Sequence, residues 1–203
     1  MNVPNKLSMV RILIVPVILV FLLPVDIFSF VPASWNSFVL SNGRVVAGVL
    51  FLLASITDYL DGQIARKYDL ITNLGKFLDA LADKMLVISV LVALVSLNRI
   101  SSVFVIIIIL REFMVTGIRM LASEKGVVMA AKMIGKVKTV TQMIAITVFL
   151  FEPLLISLFA RGNEVIEKVI YYSGDVCFYI CVLMTILSGM DYLVKNLNYL
   201  KES

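Results

Sequence analysis

The 203-residue chain has no histidine. That removes the commonest general base and the usual zinc ligand, so proton transfer must fall to Asp, Glu, Lys or Tyr. Cysteine is nearly absent too. Cys177 and Cys181 are the only two, and they lie four apart in an apolar segment. Two thiols make neither a zinc site nor a disulfide framework, and apolar packing accounts for both. Charge is sparse, with 16% of residues Asp, Glu, Lys or Arg, against about a quarter in soluble domains. There is also no internal repeat, low-complexity stretch or separate soluble segment. What the chain has in excess is apolar residues, at 61%, with a mean hydropathy of +1.01.

Such a composition excludes an ordinary soluble enzyme and predicts an all-α integral membrane protein. A spanning helix needs about 20 mostly apolar residues, and six such runs can be placed. They cover about 9–30, 40–65, 75–97, 100–122, 138–160 and 168–195, each long enough to cross at about 1.5 Å per residue. No small-residue cleavage pattern follows Leu23, where Pro24-Val25-Asp26 stands instead, so the first run reads as a retained span. The whole of 1–203 reads as one transmembrane domain, with 1–8 as an interfacial segment. In that segment Pro4-Asn5 predicts a turn, and Ser8 a helix cap. Surface anchoring and substrate contact are both open for Pro4, Asn5 and Arg11.

Orientation follows from Lys and Arg. With the amino terminus in the cytoplasm, 14 of the 18 basic residues fall inside, and Arg44, Arg99, Arg161 and Lys168 fall outside. This positive-inside bias puts both termini in the cytoplasm. A bacterial inner membrane is the expected location.

Between Asp58 and Asp83 the spacing is D-x2-D-G-x2-A-R-x8-G-x3-D-x3-D. Carboxylates at bilayer depth are costly and mark function by default. Residues three and four apart share a helix face, so Asp58, Asp61, Gly62 and Ala65 form one stripe. Gly75, Asp79 and Asp83 form another, and Lys67 to Leu74 gives enough chain for the two to face each other. Four carboxylates this close repel unless some are protonated or a cation joins them. An all-oxygen set suits hard Mg²⁺ or Mn²⁺, and two ions about 3.5–4 Å apart would clamp a diphosphate. Arg66 offers a planar fork for phosphate oxygens. Blander readings are helix packing through the small residues, an ion pathway of a cation-coupled transporter, and boundary charge at Arg66 and Lys67.

The complete frame is similar to the signature of the CDP-alcohol phosphotransferases, integral membrane enzymes of phospholipid synthesis, and no position departs from it. The resemblance implies that family's six-helix, usually dimeric fold. It implies Asp58, Asp61, Asp79 and Asp83 as ligands of a metal pair, with Asp83 also the base that deprotonates the acceptor alcohol. Gly62, Ala65, Arg66 and Gly75 would line the CDP pocket. A second pattern is Arg111-Glu112…Gly117-Ile118-Arg119…Gly135-Lys136-Val137-Lys138-Thr139…Gln142. With the opening P-N-K-L-S-x-x-R, it resembles the phosphatidylglycerophosphate synthase branch.

That branch implies CDP-diacylglycerol as donor and sn-glycerol 3-phosphate as acceptor. Arg111, Arg119, Lys136 and Lys138 would then bind the acceptor phosphate. Lys125 and Lys132 fit equally well as boundary charge contacting anionic lipid. Sister enzymes use inositol phosphate, serine or phosphatidylglycerol, so the acceptor is read less directly than the donor. Membrane lipids and a second copy of the chain are the expected partners, and nucleic acid is not.

Overall fold

A computed structural model describes residues 3–24, 32–67, 73–124 and 133–196. Every regular element among them is helical: α1 (Val3–Leu22), α2 (Ala33–Phe38), α3 (Arg44–Lys67), α4 (Asn73–Ser96), α5 (Ser102–Glu124), α6 (Met133–Leu155) and α7 (Glu164–Asn196). A π-helical turn, Val39–Gly43, joins α2 to α3, and a second, Ile156–Ala160, prolongs α6. The result is six long rods, matching the six expected spans. Three of them, 34–58, 133–160 and 164–194, are long and apolar enough to cross a membrane by length and composition alone. The outer end expected for the first span, beyond Pro24, lies outside the described residues, as do Lys125 and Lys132.

One local expectation is corrected. Val3 to Ser8 is not a turn followed by a cap but the first two turns of α1. Proline is tolerated in a first helical turn, where its missing N–H would have no partner, so Pro4 does not delay the helix. Ser8 is buried inside it.

The bundle is apolar inside and out. Ile18 of α1, Phe51 of α3, Leu91 of α4, Ile108 of α5, Phe149 of α6 and Cys181 of α7 are fully buried in one core. Meanwhile Leu13, Leu53, Leu110, Phe113, Val169 and Leu183 remain exposed. This surface suits hydrocarbon, where helices associate by close packing rather than by escape from water. Small residues allow that packing. A Cβ on Gly43 would sit 2.0 Å from the Phe21 carbonyl oxygen, and one on Gly48 would sit 2.9 Å from the Phe151 ring. Gly43 therefore lets the π turn rest on the end of α1, where Trp35 also meets Phe21. At the α6–α7 turn Asn163 Oδ1 caps α7, accepting from Val165 N at 3.0 Å.

At the turn between α4 and α5, Arg99 enters the protein from the end opposite the aspartate frame. It donates to Glu152 at 2.8 Å, Asp175 at 2.6 Å and the Tyr171 carbonyl at 2.8 Å. Its guanidinium lies 4.4 Å from the Phe149 ring centroid and 3.8 Å from that of Tyr171. α4, α5, α6 and α7 are thereby tied together around one buried cation.

Candidate functional site

α1 packs against both α3 and α4, and so it stands between the two aspartate-bearing helices. Its Arg11 is almost wholly buried. Arg11 Nη1 lies 2.5 Å from Asp58 Oδ1 on α3 and 3.2 Å from Asp79 Oδ1 on α4. Carboxylates from the two stripes therefore meet at one point, already filled by a cation from a third helix. The Asp58 and Asp79 side chains stay 37% and 53% exposed, so a ligand reaches them from outside the bundle.

Asp61, Gly62, Ala65 and Arg66 follow on α3, but their side chains lie outside the described residues. Gly75 lies on α4, one turn before Asp79. Among the described residues no group of three His, Cys, Asp or Glu forms a metal cluster. What is observed is two converging carboxylates holding one cation, and that is the donor chemistry a hard divalent ion requires.

Asp83 follows Asp79 by one turn on α4, on the same face of the helix, and is exposed. With Lys84, Glu112, Lys138, Thr139 and Gln142 it lines a cavity of about 30 Å³. Here the basic cluster separates into parts. Lys138 is buried and donates to the Glu112 carboxylate and to Gln142 Oε1. Arg111 Nη1 donates to the same Glu112 oxygen at 3.0 Å, and Nη2 to the Ser188 hydroxyl of α7. Arg111 and Lys138 thus meet through one carboxylate. One small residue admits the Arg111 side chain: a Cβ on Gly189 would lie 3.1 Å from its Cγ.

Arg119, two turns along α5, lies 5.6 Å over the Tyr192 ring instead. Lys136 is exposed, because residues two apart on α6 point to different sides of the helix. The structure brings together two of the four cations expected at an acceptor phosphate, and it places Arg119 and Lys136 apart from them.

Three site residues were not assigned from sequence. Arg11 was open between two roles, and the structure puts it at the aspartates. Glu112 had a signal, since a carboxylate beside Arg111 in an apolar helix calls for a buried partner. Gln142 stood at the end of the second pattern, four residues from Lys138, with no role given to it.

The family model described as CDP-alcohol phosphatidyltransferase matches residues 1–190. The chain is 37% identical to the CDP-diacylglycerol–glycerol-3-phosphate 3-phosphatidyltransferase of Bacillus subtilis (strain 168), over 100% of this chain and 98% of that protein. It is 33% identical to the enzyme of the same name from Rickettsia felis, over 94% of this chain and 93% of that protein. Against the one from Mycoplasma pneumoniae it is 39% identical, over 74% of this chain and 68% of that protein. The two aspartate-bearing helices and the rods around them are those of a chain that belongs to the CDP-alcohol phosphatidyltransferase family.

Proposed function

We propose that the protein transfers the phosphatidyl group of CDP-diacylglycerol to sn-glycerol 3-phosphate, giving phosphatidylglycerophosphate and CMP. The observation that carries this reading is the meeting of Asp58 and Asp79 at one cation, one helical turn from Asp83 and its polar cavity. The relatives' names supply the two substrates.

Asp58, Asp61, Asp79 and Asp83 would hold divalent ions, Mg²⁺ or Mn²⁺, as a pair. When bound, such ions neutralise charge on a diphosphate and its leaving group. The chain does the rest. Gly62, Ala65 and Gly75 leave room for the CDP moiety beside α3 and α4, and Arg66 pairs with its phosphate oxygens. Arg111 and Lys138 attract the acceptor phosphate, with Arg119 and Lys136 adding positive field at its approach. Asp83 accepts the proton of the primary hydroxyl. That oxygen bonds to the phosphorus bearing the diacylglycerol while the bond from that phosphorus to CMP breaks.

The lipid tails stay among the apolar outer faces, and the head groups react at the cytoplasmic ends of α3 and α4. Residues 1–203 act as a single domain in the inner membrane, with both termini cytoplasmic, paired as a homodimer. The test is an assay of purified protein with Mn²⁺ or Mg²⁺, CDP-diacylglycerol and a panel of acceptors, measuring CMP and lipid product. Release of CMP with glycerol 3-phosphate is expected. No CMP with any acceptor rejects the reading, and CMP with inositol phosphate or serine alone moves the acceptor.

A further inference from the structure

Gln142 is 3% exposed and sits one turn beyond Lys138 on α6. Lys138 Nζ can only donate, and its partner is Gln142 Oε1. The amide orientation is therefore fixed, and Nε2 turns away with two N–H groups to place. Nε2 is buried and has no hydrogen-bond partner. Folded proteins rarely leave such a donor unmet. Gln142 also shares the small cavity with Asp83, Glu112 and Lys138. The cavity is small and its lining is mostly polar, which suits a hydroxyl.

We infer that Gln142 Nε2 donates a hydrogen bond to the secondary hydroxyl of the acceptor, so that this amide selects an alcohol with a neighbouring hydroxyl. The inference rests on the proposed acceptor and on Asp83 as base. In glycerol 3-phosphate the hydroxyl that reacts is on C1, and the C2 oxygen is its immediate neighbour. With C1 at Asp83, C2 falls in the same cavity. Its hydroxyl accepts from Gln142 and donates toward Glu112, while the phosphate on C3 reaches toward Arg111. A site built around a hydroxyl rejects an analogue lacking it, because the buried partner is then stranded.

The test compares glycerol 3-phosphate with 3-hydroxypropyl phosphate, which lacks only the C2 hydroxyl, in initial-rate kinetics of the full chain. The wild type is expected to favour glycerol 3-phosphate by about 100-fold in kcat/KM. Gln142→Met, of similar length but without a donor, should lose most of that factor on glycerol 3-phosphate. On the deoxy acceptor its loss should be smaller by at least about 10-fold, the part common to both acceptors reporting the partner that Lys138 has lost. Gln142→Asn, which withdraws the amide by one methylene, gives the same readout should the Met variant not fold. Equal losses on both acceptors, or no wild-type preference, overturn the inference while leaving the proposed reaction standing. No turnover of glycerol 3-phosphate by the wild type overturns both.

Discussion

Arg11 Nη1 lies 2.5 Å from Asp58 Oδ1, so a guanidinium occupies the ground where a divalent ion would bind. On the proposed function the two cations would compete for the same oxygen. Removing the arginine should destabilise the metal-free protein, because Asp58 and Asp79 lose their shared counter-ion. It should also tighten metal binding. For Arg11→Met, thermal melting across a Mn²⁺ titration should show a lower starting temperature and an apparent Kd about 10-fold tighter than wild type. Identical titration midpoints for the two proteins would show that the arginine and the metal do not compete.

In the proposed reaction Asp83 adds the role of base to the ligand role it would share with Asp79. Asp79 meets Arg11, whereas Asp83 lines the cavity with Glu112 and Lys138. Asp83→Asn keeps the shape and removes the base, so turnover should fall by about 10²–10⁴-fold. Donor binding should be largely spared. CMP release and equilibrium binding of CDP-diacylglycerol, measured on the same preparation, separate the two effects. Near-normal turnover would refute the assignment.

Glu112 and Lys138 form a buried pair, and breaking it from one side strands a charge. Glu112→Leu leaves the Lys138 ammonium, 3% exposed, without its carboxylate, at a cost of about 3–5 kcal/mol. The double variant Glu112→Leu/Lys138→Met removes both charges and should recover part of that stability, the remainder being lost because Arg111 still lacks its carboxylate. It should still bind acceptor poorly, with a raised KM. Melting temperatures of the singles and the double close the cycle. Additive losses would show that the two side chains do not interact in solution.

Much of this architecture is legible from residue order because bilayers demand long apolar runs, and six runs became six rods. The aspartate spacing was legible for a similar reason, since helical period alone puts Asp79 and Asp83 on one face. Arg11 was not. Its partner Asp79 is 68 residues away, brought near only because α1 packs between α3 and α4. Lys136 and Lys138 looked equivalent as a basic pair, but only tertiary packing decides which side of α6 turns inward, and Lys138 and Gly135 took it. The start of α1 was misread for a local reason. Pro4 signals a turn in mid-chain, yet it is harmless in a first helical turn.

The Arg99 cluster should govern stability without touching chemistry. Its cation is buried against Glu152 and Asp175 at the end of the bundle away from the aspartates. Burial disfavours the charged form, but hydrogen bonds to both carboxylates hold the Arg99 pKa above its ordinary value. Because that value already lies far above any working pH, the arginine remains charged throughout. Mutation, not alkali, is therefore the probe. Glu152 is itself 4% exposed and also lies 3.7 Å from Arg44, so Glu152→Leu takes one of the two carboxylates from Arg99, leaving Asp175 at 2.6 Å, and weakens the tie between α3 and α6. A loss of about 1–3 kcal/mol is expected, read as a lower melting temperature in detergent. At temperatures where the variant is fully folded, kcat and both KM values should stay within about 2-fold of wild type, since no step of the transfer passes through this end. A large change in KM for glycerol 3-phosphate in a fully folded variant would mean that the two ends are coupled through α5 and α6.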